Sequence, residues 1–135
     1  MLQNEDVIWP GVVDAFCEAL GLEEDEVEAD SLVIDELGAE SLDFLDIAFR
    51  LERTFGIKIP RGEVQREAEE RTGEAFEEAG KLTEAGAIAL QEALPEAPQD
   101  KIVAGYAVRD IARLFTVQTF VNLVARQLAG QAVAA

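Results

Sequence analysis

Between Gly38 and Pro60 five apolar residues line one helical face. Phe44, Ile47, Ala48, Leu51 and Phe55 recur at i, i+3, i+4, i+7 and i+11, the stripe of a helix buried on one side. The spacing predicts a helix over 41–55. Ser41 or Glu40 stands where a cap belongs, and Gly38 permits the turn before it. Gly56 ends the helix, and Pro60 blocks a restart. A second stripe, Ile8, Val12, Ala15, Phe16, Ala19 and Leu20, predicts an earlier helix closed by Gly21. Because Pro10 suits only a first turn, that helix is expected to begin near Ile8 or Trp9.

The remaining segments are less regular. Residues 22–40 are strongly acidic yet carry Leu22, Val27, Leu32, Val33, Ile34 and Leu37, too many aliphatics for a linker, so an ordered loop is expected. From Glu63 to Ala79 only Val64 and Phe76 are large and apolar, a pattern open to either a solvated helix or partial disorder. Thr83 reads as the cap of a short helix to about Ala93, with Leu82 and Ala87 as a staple. A turn near 110–114 is expected next. A last helix, capped by Thr116, follows through Val117, Phe120, Val121, Val124 and Leu128 to a stop at Gly130, with residues 131–135 frayed.

Charge narrows the possible functions. The 135-residue chain has a net charge of −17, held as −13 over residues 1–60, −7 over 61–100 and +3 over 101–135. Such a surface repels phosphate backbones and anionic lipid and steers toward basic protein patches, so nucleic acid is not an expected partner. Excess acid also serves solubility alone. The chain has no histidine, which excludes a Ser-His-Asp triad, a Cys-His pair and His-bound zinc within it. Cys17 is the single cysteine and reads as a small apolar residue rather than a reactive thiol. The acids at 23–26 lack the alternating ligands and turn glycine of a calcium loop, so no metal site is expected. No apolar run is long enough to span a membrane, and residues 1–6 carry no basic start or apolar signal core. A cytoplasmic protein without membrane insertion is the expectation.

Ser41 is the residue on which chemistry converges. A hydroxyl at an exposed helix start places a phosphodiester beside free backbone N–H groups and the positive end of the helix dipole. Nothing near it in sequence deprotonates it, so it suits a substrate of another enzyme rather than a nucleophile. Its plain alternative is an ordinary N-cap serine.

The ordered run Leu37-Gly38-Ala39-Glu40-Ser41-Leu42-Asp43, then Phe55-Gly56-Ile57-Lys58-Ile59-Pro60, resembles the attachment segment of acyl carrier proteins. The resemblance begins at Leu20-Gly21-Leu22 with Glu26-Val27, includes Asp35-Glu36, and resumes at Thr116-Val117-Gln118. It implies an all-α, acyl-carrier-protein-like helical bundle: three main helices and a short third element, with one or two inserted helices. It further implies 4′-phosphopantetheine covalently attached to Ser41 by a holo-synthase (a phosphopantetheinyl transferase), and acyl carriage in fatty acid or specialised lipid synthesis without catalysis by the chain. The implied partners are acyl-transferring and chain-elongating enzymes with basic docking patches, meeting a monomer. By the same resemblance the second helix is the recognition surface, offering Leu42, Leu45 and Phe49 flanked by Glu40, Asp43, Asp46 and Glu52. Those acids also read as a solvated face, and Leu45 and Phe49 as core. Phe44 is a candidate for narrowing an acyl pocket.

Three departures qualify the resemblance. Glu40 stands where the family commonly has Asp, Arg50 and Arg53 lie on a helix that is usually more uniformly acidic, and residues 61–108 exceed the few residues usual there. The expected organisation is a single carrier domain, 1–135, with 61–108 as an insertion that packs as extra helices and buries Ile88, Leu90, Leu94, Ile102, Val103 and Tyr106. The insertion reads equally as an added functional surface or as a tolerated excursion. An aminoacyl, peptidyl or polyketide carrier, and an unmodified acidic helical adaptor, remain the alternatives.

Overall fold

The computed structural model describes residues 5–60 and 62–134, with side chains described for 7–60 and 62–130. The reading of residues 1–4, and that of Ala135 in the tail, lie outside the described residues. The chain is mostly helical, with only one hairpin of two-residue strands among the described residues. It divides into two compact units, residues 1–59 with 116–135, and residues 60–115.

In the first unit α1 (Glu5–Leu20), α2 (Ser41–Phe55) and α5 (Val117–Ala134) pack on one another. Ile8, Val12 and Phe16 of α1, Ile47 and Leu51 of α2, and Val117, Phe120, Val121 and Val124 of α5 are buried, as the stripes predict. α1 starts at Glu5, not at Ile8 or Trp9, and carries Pro10 inside it. The proline leaves the Asp6 carbonyl without its helical N–H partner, a local cost that the buried face of Ile8, Val12 and Phe16 offsets. Gly11, next to it, has a packing role: a Cβ there would lie 2.6 Å from Cζ of Phe55, so glycine lets α1 and α2 approach closely.

The acidic loop is ordered by its anchors. Val27, Val33 and Ala39 are buried, while Leu22, Leu32, Ile34 and Leu37 are half-buried. Its backbone is tied to the start of α5. Leu32 bridges Thr116, Val117 N–H donates to the Ser31 carbonyl at 3.1 Å, and Gln118 N–H to that of Ala29 at 3.0 Å. Thr116 caps α5 reciprocally with Thr119: each backbone N–H donates to the other's hydroxyl, at 3.0 and 3.3 Å. Gly130 does not stop α5, which continues to Ala134. Near a helix end one glycine costs only about 1 kcal/mol, and Ala129, Ala132 and Ala134 beside it are strong helix formers.

The second unit contains α3 (Glu63–Arg71), β1 (Glu77–Glu78), β2 (Lys81–Leu82) and α4 (Glu84–Ala93), then a one-turn 3-10 segment at Gln99–Lys101 and a seven-residue one at Val108–Leu114. The open reading of 63–79 resolves into a helix followed by a hairpin. α4 is capped as expected: Gly86 N–H donates to the Thr83 hydroxyl at 2.9 Å, and Leu82 and Ala87 are buried. A Cβ at Gly86 would meet the Phe76 carbonyl oxygen, so only glycine allows this close approach. Leu90, Leu94 and Ile102 are buried and Tyr106 half-buried, but Ile88 and Val103 are exposed, against expectation. On α4 the buried set includes Gly86, Ala87, Leu90 and Ala93, and the helical period turns Ile88 away from it.

Candidate functional site

The site is assembled at the turn that starts α2. Gly38 adopts the left-handed conformation, φ +79°, which glycine accepts without strain. Its N–H donates to the Ile34 carbonyl, the Ala39 N–H to that of Val33, and Ala39 is buried, so the chain enters the helix from a fixed direction. Glu40 is the cap: its backbone is extended, and its carbonyl accepts from the Asp43 and Phe44 N–H groups at 2.9 and 3.2 Å. The Asp43 carboxylate accepts from the Glu40 N–H at 2.8 Å. Ser41 is therefore the first helical residue, and the plain N-cap reading does not hold for it. Its side chain is exposed, and among the described residues no hydrogen bond occupies its hydroxyl.

A phosphodiester fits this position. The first N–H groups of a helix lack intrahelical acceptors, and the dipole favours an anion there. With Ser41 exposed and its hydroxyl engaged in no cap, a transferring enzyme can reach the oxygen without unfolding the turn. Burial first, then the carboxylates of Glu24, Asp14, Glu23 and Glu26, push the Cys17 thiol above its ordinary range.

The other predicted residues lie along α2 in two groups. Leu42 and Phe49 are exposed, 77% and 58%, and Leu45 between them is half-buried. The exposure of Phe49 removes the core reading for it. The acids are more engaged than sequence reasoning anticipated. Asp43 closes the cap, Asp46 pairs with Arg50 at 2.9 Å, and Glu52 accepts from the Ile59 N–H at 2.8 Å. Arg50 also reaches Glu18 of α1 at 2.7 Å, which gives this atypical arginine a role in joining two helices. Phe44 is half-buried, one turn after Ser41, and its ring stacks on Phe120 with centroids 6.1 Å apart.

Comparison with known proteins covers the same segment of the chain. A family model described as the phosphopantetheine attachment site matches residues 10–69. The chain is 47% identical over 49 residues to the acyl carrier protein AcpXL of Brucella melitensis, covering 36% of this chain and 53% of that protein. It is 39% identical over 59 residues to the acyl carrier protein of Campylobacter hominis, covering 44% and 75%. Against the acyl carrier protein of Thermotoga maritima it is 31% identical over 65 residues, 48% and 80%. The chain spans about half the length of the first curated relatives it matches.

Proposed function

This chain belongs to the acyl carrier protein family, with 4′-phosphopantetheine as its covalent cofactor, and from that premise we propose that Ser41 is the attachment residue and that the chain carries acyl groups in fatty acid or specialised lipid synthesis without catalysing their chemistry. One observation carries the assignment: Ser41 is the exposed first residue of α2, its hydroxyl engaged in no cap. Transfer joins the Ser41 Oγ to the phosphorus that carries the pantetheine and breaks the bond from that phosphorus to the bridging oxygen, which leaves with adenosine 3′,5′-bisphosphate. The serine proton passes to a base of the transferase, since this chain has no histidine to take it. The group supplies a terminal thiol that holds the cargo as a thioester.

Leu42, Leu45 and Phe49 form the docking strip for the holo-synthase and the acyl-transferring and chain-elongating enzymes. Glu40, Asp43, Asp46 and Glu52 form its acidic rim. Residues 61–108 are an insertion into one carrier domain, 1–135. The protein acts as a cytoplasmic monomer. Among the described residues no helix is long and apolar enough to cross a membrane.

The test is intact mass after incubation with coenzyme A and a broad-specificity phosphopantetheinyl transferase. The parent gains one phosphopantetheine and Ser41→Ala gains none. A gain on the variant would move the attachment site. No gain on either protein, both folded, would favour the adaptor reading.

A further inference from the structure

We propose that Phe44 controls where the acyl cargo resides: stacked on Phe120, its ring closes the first unit beneath Ser41, so the cargo lies outside the bundle unless that ring is removed. This rests on the assignment of the arm to Ser41. Phe44 follows Ser41 by three residues, so the two side chains are neighbours on the helix surface. It marks the boundary between water and core on this helix. Ser41 is exposed, Phe44 half-buried, and Ile47 and Leu51 on the following turns are fully buried.

From Phe44 the rings run inward without a break. Phe44 of α2 stacks on Phe120 of α5 at 6.1 Å and 29°. Phe120 in turn meets Phe16 of α1 edge to face at 5.2 Å and 83°, and Phe16 is wholly buried. Three helices thus contribute one ring each to a column that leads from the rim to the centre.

An alkyl chain tethered at Ser41 gains by leaving water, methylene by methylene. Entry along this face, however, requires Phe44 to leave Phe120, and a close-packed interior resists such a shift rather than yielding gradually. Leu42 and Phe49, already exposed, offer the tethered chain apolar surface outside. Alanine at position 44 removes the ring at the rim while leaving Phe120 and Phe16 as the floor of the space it vacates.

The experiment loads the full chain, Phe44→Ala and Phe44→Leu with transferase and the butanoyl, octanoyl and hexadecanoyl thioesters of coenzyme A. Loading is verified by mass, folding by circular dichroism, and the rate of thioester cleavage by hydroxylamine is measured. In the parent the three chains are expected to be cleaved at rates within about twofold of one another, and in Phe44→Ala the two longer chains at least about fivefold more slowly than butanoyl. Phe44→Leu, which keeps apolar bulk without a ring to stack, is expected to lie between them. Protection of the longer chains already present in the parent would overturn the proposal whether or not either variant folds. So would its absence from a folded, loaded Phe44→Ala. A parent that gains no mass at all would overturn the Ser41 assignment and this proposal with it, an outcome recognisable before any cleavage is measured.

Discussion

α2 and α3 are written largely in the same charged letters and do opposite things with them. α2 has three acids and two arginines, α3 four acids and two arginines. On α3 the charges face one another: Arg66 forks onto Glu63 at 2.7 and 2.8 Å and reaches Glu70, while Arg71 meets Glu67. These are i, i+3 and i, i+4 pairs that support the helix itself. Its large apolar side chain, Val64, is buried, and none of the exposed large apolar residues lies on it. On α2 two of the acids hold backbone N–H groups at the helix ends, and Leu42 and Phe49 remain exposed. Charge density therefore does not distinguish the helix proposed to dock partners. What separates α2 from α3 is that two of its large apolar side chains, Leu42 and Phe49, stay exposed on the helix that Ser41 begins.

The comparison breaks first at the core. Leu51→Ala is expected to cost about 2–5 kcal/mol, because a fully buried leucine leaves a cavity. Glu69→Ala on the exposed side of α3 is expected to change stability by less than about 0.5 kcal/mol. Denaturant titration reads the two units separately, since the only tryptophan, Trp9, lies in the first and the only tyrosine, Tyr106, in the second. A Leu51→Ala loss seen equally by both probes would mean that the units unfold as one.

Next is the strip itself. Leu42→Ser with Phe49→Ser is expected to leave the Trp9 transition within about 1 kcal/mol of the parent, since both residues are exposed. The same variant is expected to lower kcat/KM for the transferase about tenfold, the loss of roughly 1.4 kcal/mol of apolar contact. Gln65→Ser with Glu69→Ser on α3 serves as the control and is expected to leave kcat/KM unchanged. Equal losses from both variants would remove the distinction between the helices.

Legibility followed the range of the forces involved. α2 was readable to the residue because its stripe lies between a turn glycine, Gly38, and a stop, Gly56, both confirmed at positive φ. Thr83 and Thr116 were readable because a cap is a contact of three residues' reach. Pro10 and Gly130 misled because local cost was read without the packing or helix propensity that offsets it. The hairpin at 77–82 had no readable pattern: Glu-Glu and Lys-Leu neither alternate nor favour strands, and its turn places Ala79 at φ +54° where Asn is usual. Distant backbone holds it instead. Leu82 N–H donates to Tyr106, Gly105 N–H to Leu82, and Val108 N–H to Gly80. At the candidate site the helix start at Ser41 was legible and Phe49 was left open between surface and core, but the engagement of Asp46 and Glu52 was not legible, because it depends on where Arg50 and the Ile59 backbone come to rest.

The smallest expected effect decides between apolar contact and charge on α2. Asp43→Asn keeps an oxygen that accepts from the Glu40 N–H, so the cap survives and stability is expected to stay within about 0.5 kcal/mol. It removes one full charge two residues from Ser41. If docking is led by apolar contact, kcat/KM for the transferase falls by less than about threefold, a rim effect that fades further as salt screens it. If charge leads, the loss approaches that of the Leu42–Phe49 variant and shrinks steeply with added salt. The first outcome is expected, because the three acids of α2 are nearly balanced by Arg50 and Arg53, whereas nothing in α2 offsets the exposure of Leu42 and Phe49.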